Sequence, residues 1–290
     1  MSVRSRRARS LWPREHGAYI QLFVPLATSL LATGSSLAGD ALALGAGFAF
    51  FASEPLRVVI GARGARMHEV AGPRAWTRLV LFATLAVIAG GTGLALAPKA
   101  AVGLTLLLAP MISFVLIAAR RGTVHTEVGE SVAAVTLAGA GAPVALAGGM
   151  NLGDALVIWL GWSLAFAATV VVVHYMIARH LRARAPANAR SEIALVLLCG
   201  ILAAVSVVFP LARFATPLAI AAVLVLIWVP RATRLRAVGI AFLASSLVAA
   251  LCAITPLRDS ARDNEVEDSF RAAMAAHHAV HAEAHAALPR

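Results

Sequence analysis

The chain alternates apolar runs of membrane-crossing length with short, arginine-bearing segments. Nine such runs can be drawn: 18–35, 40–59, 76–96, 101–118, 130–149, 153–178, 192–211, 214–230 and 237–256. A helix crossing a bilayer needs about 20 mostly apolar residues, because every backbone polar group must be satisfied within the segment. A water-soluble fold cannot bury this much apolar surface. With 60% hydrophobic and 13% charged residues, the composition leaves an all-α polytopic membrane protein of about nine transmembrane helices. Gly and Ala recur inside the runs, as in "GAGFAF", "IAGGTG" and "LAGAGAP", and suit close helix packing in lipid.

The arginines predict the orientation. With the N-terminus inside, Arg4, Arg6, Arg7, Arg9 and Arg14 are cytoplasmic, as are Arg57, Arg63, Arg66, Arg74 and Arg78 in the next inner loop. Later inner loops hold Arg120 and Arg121, then Arg179, Arg182, Arg184 and Arg190, then Arg231, Arg234 and Arg236. The outer side receives Lys99, Arg213 and the four arginines of the C-terminal segment. Basic residues accumulate on cytoplasmic loops, so the expected arrangement is N-in and C-out in a bacterial inner membrane. The net charge of +11 is thus spent on orientation. It does not form a nucleic-acid surface, and no nucleic-acid partner is expected.

Three regions follow: a basic N-terminus (1–17), a helical membrane domain (18–257) and a polar tail (258–290). Pro13, Arg14 and Glu15 interrupt the approach to the first run, and no small-residue cleavage site follows, so the first span is read as uncleaved. Cys199 and Cys252 sit within apolar runs as small packing residues. In the tail, His277, His281 and His285 repeat at i, i+4, i+8 with His278 alongside, a weak metal-binding face on a segment of low-complexity character.

Ionisable residues gather at the inner end. Glu15 and His16 open span 1, and Glu54 and Arg57 close span 2. His125, Glu127 and Glu130 open span 5, while His174, Tyr175 and Arg179 close span 6. A charge within a span is costly and usually faces protein or a water-filled cavity. Glu54 is the clearest instance, and its i,i+3 spacing from Arg57 allows pairing on one helix face. The expectation is an inner-leaflet pocket shared by Glu54, His16, Glu127 or Glu130, and His174. The plainer alternative is a set of interfacial ion pairs, and Arg63, Arg66, Arg182 and Arg184 read as snorkelling anchors. His16, His125 and His174 could meet a metal with a carboxylate, but no diagnostic spacing asks for one, and no cofactor is predicted.

The string "PREHGAYIQLFVPL" followed by "EPLR" resembles the YwiC-like family of bacterial integral membrane proteins. More distantly, the chain is similar to UbiA-type prenyltransferases, which implies a nine-helix bundle with a cytoplasm-facing cavity. "TEVGESVAAVTLAGAGAPVALAGG" resembles the fifth-helix region of those enzymes. Their first Asp-rich motif corresponds to "SEPLRVVIG" here, so Glu54, Arg57 and Gly61 stand at the three acidic positions. The second motif region, "VVVHYMIARHLR", has Arg179 in place of a carboxylate. Magnesium takes oxygen ligands, and this chain departs from the pattern that would supply them.

Three functional readings remain open from sequence. The first is a UbiA-like scaffold that binds a lipid-like or isoprenoid anionic molecule through Arg57 and Arg179. The second is an ion- or proton-coupled transporter. The third is an accessory membrane protein without a substrate.

Overall fold

The structure is a computed structural model. It describes residues 11–12, 16–123, 126–181, 210–228 and 237–254, with isolated positions between 193 and 208 and at 274. Every regular element among the described residues is helical. The elements are α1 (His16–Thr33), α2 (Leu37–Val59), α3 (Ala65–Leu96), α4 (Lys99–Arg121), α5 (Glu127–Gly139), α6 (Gly141–Ala147) and α7 (Leu152–Leu181). A 3-10 turn (Pro210–Ala215) leads into α8 (Thr216–Trp228), and α9 spans Ala237–Ile254. Among the described residues six helices are long and apolar enough to cross a membrane, with α5 and α6 counted as one segment; α1 and the α8 region are shorter apolar helices.

Local chemistry sets the helix ends. Ser36 caps α2 by accepting from the Gly39 N–H at 3.0 Å, and Thr126 caps α5 by accepting from Gly129 at 3.1 Å. Both hydroxyls take up backbone donors that the first helical turn leaves unpaired. Gly122, at φ +74°, terminates α4 in the left-handed conformation. The sequence pattern places the third span at 76–96, but the helix begins at Ala65. Pro73 lies inside it. The arginine-rich segment expected as a loop before that span is therefore largely helical, because Arg and Met are good helix formers whatever their polarity.

The fifth span is interrupted. Ala140 separates α5 from α6, and Pro143 stands in the first turn of α6. Pro143 has no N–H to give the Gly139 carbonyl, so one rung of the hydrogen-bond ladder is missing at this point.

Short connections reverse the chain after α1, α2, α3, α4 and α6. The starts of α1, α3 and α5 therefore share one end of the bundle with the ends of α2, α4 and α7. At the opposite end, Ser36 Oγ donates to the Ala147 carbonyl at 3.0 Å and ties the start of α2 to the end of α6.

The core lies along α7, whose apolar window is 72% buried against 6% for α3. Trp162 is fully buried, stacked on Phe166 at 5.3 Å and tilted against Phe214 at 5.0 Å. Trp159 Nε1 donates to the Val135 carbonyl at 3.0 Å and pins α7 to α5. Against this, α3 shows lipid-facing side chains such as Val80, Leu81, Val87 and Ile88, all exposed. An apolar exterior of this kind is what a bilayer accepts and water does not. Contact between α3 and α2 is the most extensive in the bundle. It is made by small residues: a Cβ on Gly45 would lie 2.7 Å from the Gly90 Cα, and one on Gly93 would lie 2.8 Å from Leu42. In lipid, such backbone approach supplies dispersion contact that apolar burial alone cannot.

Candidate functional site

Glu54 lies in the last turns of α2 and keeps only 4% of its side-chain surface exposed. Arg63 Nη2 donates to Glu54 Oε2 at 2.7 Å, a charge-assisted hydrogen bond. Arg57 Nη1 stands 4.0 Å from the same oxygen. A buried carboxylate is tolerable only when paired and hydrogen-bonded, and Arg63 supplies most of that here. The return of Arg63 depends on two glycines. Gly61 at φ +76° and Gly64 at φ +89° bracket it and fold the chain back over the end of α2. His68 Nδ1 meets the Val58 carbonyl at 3.2 Å, which binds the start of α3 to the same corner.

Aromatic side chains flank this carboxylate. The Tyr19 ring meets Phe50, one turn before Glu54, edge-on at 5.0 Å. Phe23, Phe50 and Phe51 continue the cluster between α1 and α2. Trp12 packs edge-on against Phe51 at 5.5 Å, and the Arg78 guanidinium lies 5.7 Å from its ring centroid. Leu11 is buried with Val58, Ala71 and Ala75. The segment preceding α1 is thus anchored on the α2–α3 hairpin at the end where Glu54 lies.

A second polar centre joins α5 to α7. His174 Nε2 lies 2.9 Å from Glu130 Oε2, with side chains 24% and 38% exposed. Tyr175, beside His174, is buried at 4% exposure. One turn before Glu130, Glu127 lines a groove of about 390 Å³ together with Val128, Ser131, Val132, Val171, Leu197 and Ile201.

The residues expected from sequence therefore fall into two assemblies. Glu54 and Arg57 meet at the end of α2; Glu130 and His174 meet between α5 and α7, with Glu127 and Tyr175 adjoining. The groove is lined by Glu127 and by neither Glu54 nor His174. Glu15 and His125 lie outside the described residues, as do the side chains of His16 and Arg179 and the tail residues His277, His278, His281 and His285. Among the described residues no group of three or more His, Cys, Asp or Glu side chains is placed to hold a metal ion.

Sequence reading missed Arg63, taken for a membrane anchor, and gave no role to Trp12 or Tyr19. The signal for Arg63 was present in "GARG": two glycines around one arginine directly after a helix end make a turn that reverses the side chain onto that helix.

Residues 12–146 match the family model described as YwiC-like protein. The match covers α1–α6, and with them Glu54, Arg57, Arg63, Glu127 and Glu130; α7 and His174 lie beyond it. No curated protein and no solved structure matches the chain significantly.

Proposed function

We propose that this protein binds a lipid-like anionic molecule at the cytoplasmic end of a nine-span, N-in and C-out inner-membrane bundle arranged as in UbiA-type proteins. The head group sits on Arg57 and Arg63, and the chain lies along the aromatic surface of α1 and α2. The observation that carries this reading is a buried Glu54 hydrogen-bonded by Arg63 and approached by Arg57 at 4.0 Å, with the two arginine side chains 29% and 17% exposed. One carboxylate orients two cations at the mouth of an apolar, aromatic layer. Arginine forks suit phosphate and carboxylate geometry, so the arrangement fits an anionic head with an apolar tail.

Among the described residues, six long apolar helices and two shorter ones fall within eight of the nine apolar runs, and the ninth span is read from the run 192–211 in the sequence. The orientation rests on the arginines and is tested by terminal fusions. A reporter active only outside the cytoplasm should be active at the C-terminus and silent at the N-terminus. Activity at both ends, or at the N-terminus alone, would overturn the odd span count or the sidedness.

The reading also separates binding from chemistry. Prenyl transfer of the UbiA type needs carboxylates converging on magnesium, whereas Arg57 and Arg63 place positive charge around Glu54. At about 4 Å and an effective dielectric near 20, each unit-charge repulsion is worth about 4 kcal/mol, and a divalent ion doubles it. The test titrates purified protein with prenyl and alkyl phosphates, with magnesium and with a chelator. The expected result is saturable binding in both conditions and no transfer product. Absence of binding, or magnesium-dependent product, would each sink the proposal.

A second reading, proton- or ion-coupled transport, draws on one observation. The broken α5–α6 segment crosses α1 near its own proline, where a Cβ on Gly141 would lie 3.0 Å from the Pro25 carbonyl. Interrupted helices crossing inside a bilayer are the usual setting of transporter ion sites. Proton flux in proteoliposomes that disappears in His174→Ala would favour it over the first reading.

A further inference from the structure

The two carboxylates in the first turn of α5 have different fates. Glu130 is engaged by His174, whereas Glu127 makes no ion pair or hydrogen bond among the described residues. Ser131 lies four residues on, so the two share a helix face, and its hydroxyl likewise has no partner among the described residues. Both line the groove of about 390 Å³ between α5, α7 and the helical positions Leu197 and Ile201. The rest of its wall is Val128, Val132, Val171, Leu197 and Ile201. Its polar residues belong to the first turns of α5, at the same end as Arg120 and Arg121, which close α4.

We propose that this groove holds an amino-phospholipid, with its primary ammonium on Glu127 and Ser131 and one acyl chain between the valines and Leu197 and Ile201. The argument is charge complementarity. A carboxylate at the membrane interface with no partner among the described residues recruits a cation, and the apolar wall behind it requires that cation to carry a hydrocarbon chain. A primary ammonium has three N–H donors and serves the Glu127 carboxylate and the Ser131 hydroxyl together; a choline head has none. The site is distinct from the arginine centre on α2 and has the opposite charge preference.

The test uses the full-length protein, delipidated in detergent and reconstituted into nanodiscs containing equal ethanolamine and choline phospholipids. Lipid retained after return to detergent is counted by native mass spectrometry. Both lipids carry the same phosphate, so their ratio isolates the head-group donors. The expected result is enrichment of the ethanolamine lipid by about tenfold, the size of one charge-assisted hydrogen bond. Glu127→Gln should bring the ratio close to one. Val128→Trp, at a position already 69% exposed, should fill the lip of the groove and lower total retained lipid without loss of thermal stability. Retained lipid matching the nanodisc mixture in the wild type, enrichment that survives Glu127→Gln, or a groove occupied instead by a second copy of the chain would each overturn the proposal.

Discussion

Gly45→Ala should destabilise the protein more than Gly90→Ala, although both glycines lie at the same point of closest approach between α2 and α3. A Cβ at Gly45 would lie 2.7 Å from both the Cα and the N of Gly90, whereas a Cβ at Gly90 meets nothing within 4 Å. The obstruction at Gly45 is backbone, which no rotamer change relieves, so α2 and α3 must separate. Overpacking of this kind costs about 1–3 kcal/mol. Gly45→Leu should exceed that range and prevent folded protein from accumulating. Gly90→Ala removes a flexible residue from a helix and should be neutral or mildly stabilising. Thermal unfolding of the purified variants in one detergent distinguishes them. Equal losses at the two sites would mean that α2 and α3 do not approach as described.

Glu54→Leu is expected to have the other large effect. It leaves Arg57 and Arg63 side by side at the end of α2 without the carboxylate that both address. Removing one partner of a buried pair costs about 3–5 kcal/mol, and the partial exposure of Arg63 places this case at the low end. Glu54→Leu combined with Arg63→Leu should recover part of the loss, because the uncompensated charge goes with it. The coupling obtained from the four proteins should fall at about 0.5–3 kcal/mol. Additive losses would mean that the Arg63 contact contributes nothing to the fold.

Much of the architecture is legible in the apolar runs and the arginines. The breaks at Gly34, Gly122 and Gly148 fall where the runs end, and the polar residues of α2, α5 and α7 come to one end through simple reversal of direction. What pattern cannot supply is which partner a charge takes. Glu54 has Arg57 at helical spacing, yet its short contact is with Arg63, nine residues away and across a turn. That choice depends on the φ values of Gly61 and Gly64, which the sequence suggests only after the turn is known. Hydropathy also gave the third span too late a start. It registers where a helix becomes apolar, whereas α3 begins in its polar part at Ala65. The interruption at Ala140 was hidden for a related reason, since residues 137–149 carry no polar side chain and only Pro143 marks the discontinuity.

The central claim, an anionic lipid-like ligand held by the arginines of the α2 corner, is tested most directly by what leaves the membrane with the protein. Wild type and Arg63→Gln would be purified in parallel from native membranes and the retained molecules identified by mass spectrometry. Arg57 stays 4.0 Å from Glu54 in the variant and the introduced amide can still donate to that carboxylate, and thermal unfolding in the same detergent checks that the fold survives the loss of one guanidinium. The account predicts an acidic, long-chain molecule enriched over the bulk membrane in the wild type and depleted in Arg63→Gln. Identical profiles that mirror the bulk lipid would contradict it.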